Sequence, residues 1–141
     1  RQAARALTQL YDGRLRRIGM QAPQFALLMT LNGHSASSQI ALGRRYGLDK
    51  TTVSRNLKWL SNMGWIESSA GGDSRTRAFR LTAEGRRRLA AALPEWKKAQ
   101  AQLRAALTEE QWHAMFRAFR TVANAARTVH RRRGPARPLA T

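Results

Sequence analysis

Five polar side chains recur along one short segment at spacings that place them on one side of a helix. They are Lys50, Thr51, Ser54, Arg55 and Lys58. Long cations can bind phosphates or the acceptor edge of guanine, and short hydroxyls can bond base edges or the sugar-phosphate backbone. The other side would carry Val53, Leu57, Leu60 and Met63, at helical spacings of four, three and three. The pattern predicts a helix that rests on a core and presents its polar side to a major groove.

Asp49 and Gly47 indicate how this helix begins. The Asp49 carboxylate can accept from the free amides of a helix that starts at Lys50, and its charge suits the positive end of the helix dipole. Gly47 can adopt a positive φ, which suits a tight turn out of a preceding helix. Taken alone, the segment has an alternative interpretation as an ordinary amphipathic surface helix, because such stripes are common.

The neighbouring segments place this helix in a larger motif. Residues 38–46 predict a short helix, capped by Ser37 or Ser38, that leads through the glycine turn into the next helix. Helix, tight turn and second helix form a helix-turn-helix. Residues 65–68 and 78–81 have the length and side-chain alternation of strands. The glycine- and arginine-rich loop between them predicts a hairpin, or wing, beside the helix-turn-helix.

The run GLDKTTVSRNLKWLSNMGWIE, followed by GGDSRTRAFRLTAEG, resembles the winged-helix core of the MarR (multiple antibiotic resistance regulator) family of transcription regulators. The wing fits the family's Asp-x-Arg and Leu-Thr pattern at Asp73, Arg75, Leu81 and Thr82. Upstream, APQFALLMTL resembles the family's second helix, and the similarity extends more loosely over residues 1–130. The chain departs from the family pattern in an additional arginine at position 77 and in Gly43, where an alanine is usual.

The resemblance implies a fold that is mainly α with a small β-hairpin wing. It also implies a homodimeric repressor that binds a pseudo-palindromic operator in double-stranded DNA. A small aromatic or phenolic effector would release this repressor from the operator. We expect residues 1–22 to form an N-terminal dimerisation helix, 23–82 the winged helix-turn-helix core, 83–130 the C-terminal dimerisation helices and 131–141 a basic, disordered tail. No cofactor is expected.

The same interpretation assigns site residues. The recognition helix would contact the major groove through Lys50, Thr51, Ser54, Arg55 and Lys58. The wing would contact the minor groove or its phosphates through Arg75 and Arg77. Asp73 would orient a wing arginine, since DNA would repel its own charge. An effector would bind between the dimer helices and the winged lobe, in a space that Tyr11, Phe25 and Met29 could line; the alternative for these three is a plain core role.

The flanking segments predict the dimer. Thr82 begins a long helix whose apolar side chains are Leu89, Leu93, Trp96, Leu103 and Leu107, with Pro94 expected to kink or restart it. Thr108 and Gln111 have capping-box spacing and open a last helix. Its apolar stripe is Trp112, Met115, Phe116, Phe119, Val122, Ala126 and Val129. These stripes exceed what a winged core can cover, which favours a two-fold dimer; the alternative is a monomer whose terminal helices cover one another.

The charge and composition limit the remaining function classes. The net charge is +18, of which residues 24–82 hold eight Lys/Arg against three Asp/Glu. Most of the excess positive charge therefore lies outside the proposed winged helix-turn-helix core. The chain has no cysteine, no apolar run long enough for a membrane span and no cleavable signal pattern, so we expect a cytoplasmic protein without a membrane partner. Neither a catalytic set nor a metal-spaced histidine pair argues for an enzyme; a non-specific architectural nucleic-acid-binding protein is the alternative.

Overall fold

The computed structural model describes residues 2–33, 37–46, 49–69 and 77–132. Helices dominate these residues, with short strands between them. In chain order the elements are α1 (Gln2–Leu15), a 3-10 turn (Arg16–Ile18), α2 (Ala22–Gly33), β1 (Ser37–Ser38), α3 (Gln39–Tyr46), α4 (Lys50–Asn62), β2 (Ile66–Ser68), β3 (Ala78–Leu81), α5 (Ala83–Ala105) and α6 (Glu109–Arg132). The mainly helical fold with a β wing is confirmed. None of the described helices is both long and apolar enough to cross a bilayer.

The wing strands belong to a three-stranded antiparallel sheet in the order β1-β3-β2. The two longer strands pair as predicted, with Ile66 opposite Leu81 and Ser68 opposite Phe79. The two-residue strand β1 adds to the other edge of β3, with Ser37 opposite Phe79. Strand β1 is not predictable from the sequence, because two serines carry no strand periodicity. The sheet therefore ties the start of the helix-turn-helix to the wing.

The winged part of the chain has one apolar core, to which all helices from α1 to α5 contribute. Its fully buried side chains include Leu15, Met20, Leu27, Leu28, Leu42, Val53, Leu60 and Trp65. Two predicted apolar positions differ. Met63 is 45% exposed because α4 ends at Asn62 and Met63 is its C-cap. Met29 is 39% exposed, so the core role that was its alternative to lining an effector site does not apply.

The junction between the wing and α5 is tightly packed. The Thr82 hydroxyl accepts from the Gly85 N–H at 3.0 Å, as the predicted N-cap should, and donates to the Gly64 carbonyl at 2.7 Å. A Cβ at position 85 would lie 1.9 Å from the carbonyl oxygen of Trp65, so only glycine fits there. Downstream, α5 continues through Pro94. Of the two expectations for Pro94, a restart near residue 93 is therefore wrong, and a kink stays a prediction.

The chain divides into two compact units, Arg1–Gln100, which we call the winged unit, and Ala101–Thr141. In the second unit, the predicted capping box opens α6. The Thr108 N–H donates to the Gln111 side-chain oxygen at 2.9 Å, and the Gln111 N–H donates to the Thr108 hydroxyl at 3.2 Å. No residue between 109 and 129 is buried. The apolar stripe of α6 is the main exposed apolar surface in the described part of this unit.

Candidate nucleic-acid interface

Helix α4, the predicted recognition helix, begins as the sequence predicts. The Asp49 carboxylate accepts from the Thr52 N–H at 2.9 Å and from the Thr52 hydroxyl at 2.6 Å. These bonds stabilise the charged form, and they hold the pKa of Asp49 below its usual range, the hydroxyl contributing most. Asp49 thus fixes the first turn and leaves the side chains of Lys50 and Thr51 exposed. Gly47, the expected turn residue before it, lies outside the described residues.

The two sides of α4 differ sharply in burial. Val53, Leu57 and Leu60 are buried in the core. All five proposed contact residues, Lys50, Thr51, Ser54, Arg55 and Lys58, are exposed. At roughly 100° per residue, the five fall within an arc of roughly 140° that points away from the buried side. The structure therefore brings the predicted polar residues together as one accessible face.

Asn56 is a residue of this helix that sequence reasoning missed. It lies on the inner side of α4, is 7% exposed, and its amide donates to the Thr52 carbonyl at 2.9 Å. Its burial extends the inner face beyond the apolar spacing that the sequence displays. Nearby, Trp59 packs edge-on against Trp65 at 5.2 Å between ring centroids. These contacts fix the helix on its scaffold, which a side chain that reads base edges requires.

The described part of the wing supplies two exposed arginines. Arg77 is exposed just before β3, whereas Arg75 and its proposed orienting partner Asp73 lie outside the described residues. Arg80 points outward from β3, opposite the buried Phe79 and Leu81. Its Nε donates to the Glu67 carboxylate on β2 at 2.7 Å. Of these two cations, Arg80 is therefore held by a neighbouring strand.

The first turns of α5 carry further cations behind the wing. Glu84 accepts hydrogen bonds from Arg87 and Arg88, and these bonds lower the pKa of Glu84, that from Arg87 most. The Arg88 guanidinium also lies 5.2 Å from the centroid of the Trp65 ring. Arg88 thus joins α5 to the tryptophan that packs under the recognition helix. This local ion pairing reduces the net positive charge beside the wing.

The proposed effector residues occupy two different environments. Tyr11 and Phe25 both stack with Trp96, at centroid separations of 6.4 Å and 5.8 Å. Phe25 is buried, and burial also raises the pKa of the Tyr11 phenol. Met29 is exposed on α2. Trp96, the third member of this aromatic group, was predicted only as an apolar side chain of the long helix that begins at Thr82.

A carboxylate lies one residue from the aromatic group. Glu95 binds Lys98 at 2.6 Å, and Arg14 approaches its other oxygen, Oε2, at 4.0 Å. The Lys98 hydrogen bond, followed by the charges of Lys98, Arg14 and Arg17, lowers the pKa of Glu95. Oε2 is buried without a hydrogen-bond partner. In the described part of the chain, no group of three or more His, Cys, Asp or Glu residues could hold a metal ion.

Comparisons with known proteins agree with the fold and with the exposed polar face of α4. A family model described as a winged helix DNA-binding domain matches residues 20–85. The transcriptional regulator MosR of M. tuberculosis, solved in complex with DNA, is 34% identical to this chain. That similarity covers 91% of this chain and 92% of MosR, with a TM-score of 0.78. None of the curated proteins matches the chain.

Two further solved structures share the architecture. The PcaV regulator of Streptomyces coelicolor, in complex with its natural ligand, is 26% identical over 88% of this chain and 91% of its own, with a TM-score of 0.74. A mutant of E. coli MarR complexed with operator DNA is 19% identical over 84% of this chain and 86% of its own, with a TM-score of 0.75. At that identity the likeness shows the fold alone. The chain is a winged-helix DNA-binding protein. It belongs to the MarR family of transcription regulators.

Proposed function

We propose that this regulator represses transcription as a homodimer bound to a pseudo-palindromic operator. The observation that carries the proposal is the α4 helix, with its capped first turn, buried apolar side and five exposed polar residues. Thr51, Ser54, Arg55 and Lys58 supply most of the base recognition, and Lys50 contacts phosphate. Asp49 stays on the cap, because its carboxylate already accepts two bonds from Thr52.

The homodimer is proposed from the apolar face of α6. Four large apolar side chains on this helix are between 37% and 66% exposed: Phe116, Phe119, Val122 and Val129. A contiguous apolar stripe of this kind marks an interaction site in a water-soluble protein. A second copy offers the same stripe, and a two-fold axis pairs each stripe with its equivalent. Two recognition helices would then bind half-sites about one helical turn, or roughly 34 Å, apart.

The wing adds affinity, with less sequence discrimination than α4. Arg77 is exposed, and Arg75 precedes it by two residues in the sequence. A narrow, A·T-rich minor groove concentrates negative potential and favours inserted arginine. The salt slope is the slope of the logarithm of the binding constant against the logarithm of the salt concentration. Changing both residues to alanine should lower the magnitude of this slope by about 0.9 for each phosphate charge no longer neutralised. The preferred half-site sequence should be retained, and an unchanged slope would exclude the wing from the duplex.

A small aromatic or phenolic effector would release the operator. The proposal is supported by the stacked Tyr11, Phe25 and Trp96 group, beside which a Glu95 oxygen lacks a hydrogen-bond partner. The PcaV regulator binds a natural ligand in its solved structure. Trp96 offers a direct assay, since a bound aromatic should change tryptophan fluorescence. Trp96→Phe should remove that change and keep operator binding.

Selection of bound sites from genomic fragments tests the main proposal. A repressor dimer should enrich a short inverted repeat, and footprinting should show two protected half-sites on one face of the duplex. A non-specific architectural protein would use the same charge without enriching a sequence. Binding of random fragments in proportion to their length, without an inverted repeat, would therefore contradict the proposal and favour that alternative.

A further inference from the structure

Helix α6 carries a charged face that is distinct from its apolar stripe, and we call this face the arginine stripe. Arg117, Arg120 and Arg127 lie three and seven residues apart, and Asn124 fills the gap between the last two. At roughly 100° per residue, these four side chains lie within an arc of about 80°. The centre of the apolar stripe lies roughly 130° away around the helix. The two faces can therefore bind different partners at the same time.

The arginines of the arginine stripe have different neighbours from the arginines of the winged unit. On the winged unit, Arg80 pairs with Glu67, and Arg87 with Glu84. Near the start of α6, Arg104 pairs with Glu109. Beyond Glu110 the sequence has no acid at all, and residues 111–141 contain seven arginines, so this stretch has a formal charge of +7. Among the described residues, Arg117, Arg120 and Arg127 form no ion pair, and Arg127 donates a hydrogen bond to the Asn124 side-chain oxygen at 2.9 Å.

The residue type also indicates the partner. All cations in residues 101–141 are arginines, and lysine is absent. Solubility alone would be served as well by lysine or by acids. Arginine instead presents a planar fork that matches a phosphate bidentately. The distance from Arg117 to Arg127 along the helix is about 15 Å, which matches about four base-pair steps along the axis of a duplex at about 3.4 Å each.

We propose that this stripe is a second DNA-contacting surface, which binds backbone phosphates without reading sequence. The inference extends the proposed function, because burial of the apolar face in a dimer would leave the arginine stripe on the outside. Lipid headgroups offer the same phosphate chemistry, but insertion of α6 into a bilayer would need its apolar face. The face cannot serve the dimer and the bilayer together. DNA, the ligand of this family, is therefore the partner.

The test compares two variants that each remove two positive charges. Arg117→Gln/Arg120→Gln changes the stripe, and Arg5→Gln/Lys97→Gln changes exposed cations of the winged unit. Glutamine has nearly the same helix propensity as arginine, so both variants should fold, which circular dichroism checks. Binding to a labelled random-sequence duplex of about four helical turns is measured by anisotropy across a salt series. This probe needs no knowledge of the operator.

The stripe variant should lower the salt slope by about 1.8, or about 0.9 for each lost phosphate contact. The affinity lost between about 50 and 200 mM salt should then shrink about twelvefold relative to the wild type. The control variant should keep the wild-type slope. An unchanged slope in the stripe variant, or an equal fall in both variants, would overturn the proposal.

Two further measurements assign the result. Vesicles of phosphatidylcholine with phosphatidylserine are the second probe: vesicle binding lost in the stripe variant, with the duplex slope unchanged, would overturn DNA as the partner. The ratio of operator to random-duplex affinity separates this inference from the proposed function. Loss of the stripe should leave that ratio unchanged. A lowered slope in a protein that shows no operator preference would support the stripe and contradict the operator proposal.

Discussion

The winged unit and α6 solve the same physical problem in opposite ways. In the winged unit, helices α1 to α5 and the sheet bury one another's apolar side chains, and residues such as Val53 and Leu60 are fully enclosed. In α6 the apolar residues are equally regular in spacing, yet Phe119 is 48% exposed and Val122 66% exposed. Both segments are amphipathic in sequence. The difference shows that amphipathicity alone does not reveal whether a partner lies within the chain or outside it.

That contrast also separates the tasks of recognition and assembly. The proposed reading of base edges by α4 needs a rigidly held helix, and the cap at Asp49 and the buried inner side of α4 provide that support. A helix that pairs with a second copy must keep its apolar side free until association. The largest effects are therefore expected from two kinds of change. One places a charge on the open face, the apolar stripe of α6, and the other adds volume to the closed core, the packed interior of the winged unit.

Charging the open face should abolish assembly. In Phe119→Glu, the carboxylate would be buried without a partner in the dimer, at a cost of several kcal/mol. The association constant should fall about a thousandfold or more, and the variant should bind at most one half-site. Sedimentation and mobility-shift assays measure both effects. Ala125→Glu is the control, because Ala125 is exposed on α6 outside both the apolar stripe and the Arg117, Arg120 and Arg127 arc. A monomeric Phe119→Glu protein that still occupies both half-sites would contradict the dimer.

Overfilling the closed core should destabilise the winged unit. In Gly85→Ala the new methyl would meet the Trp65 carbonyl oxygen, so the backbone of α5 must shift, at a cost of about 2–3 kcal/mol in the free energy of unfolding. Gly13 is the matched control, since a Cβ there meets nothing within 4 Å. Gly13→Ala should instead stabilise α1 by about 0.5–1 kcal/mol. Denaturant unfolding that gives both variants the same sign would refute the close contact.

Removing Arg55, the cation proposed to read a base, should affect DNA recognition while leaving both units folded. Arg55→Ala should weaken operator binding by about 1–3 kcal/mol if the guanidinium binds a guanine edge. Affinity for random duplex should change much less, and Arg5→Ala should alter neither strongly. Anisotropy titrations with both duplexes give the comparison. Equal losses on operator and random duplex would reassign Arg55 to phosphate contact.

Local features of the sequence predicted the structure well, and contacts between distant residues did not. The Asp49 cap and the Thr108–Gln111 box are confirmed because each joins residues three positions apart. The exclusion of a side chain at Gly85 depends on the Trp65 carbonyl, twenty residues away. From the neighbouring sequence alone, Gly85 cannot be distinguished from an ordinary glycine in a helix. Asn56 lies at the spacing of the inner side, three residues from Val53 and four from Leu60, but its polar side chain does not indicate burial.

The interface follows the same rule. The five polar residues of α4 were predictable from helical spacing, and all are exposed. The aromatic group was not, because Tyr11, Phe25 and Trp96 lie far apart in sequence and only the fold stacks them. Likewise, the pairing of Arg80 with Glu67 follows from strand register, which two short strands do not encode on their own.

The smallest expected effect concerns the hydroxyl that joins the wing to α5. In Thr82→Val, the Gly85 N–H and the Gly64 carbonyl each lose a partner, while the side-chain volume is kept. The free energy of unfolding should fall by about 1–2 kcal/mol, in the range of a lost helix cap. Thr128→Val is the control on α6, because its hydroxyl only bonds the Asn124 carbonyl of its own helix, and the change there should stay within about 0.5 kcal/mol. If both substitutions cost the same in urea unfolding, the junction gains nothing from this threonine, and the order of the winged unit rests on its apolar packing alone.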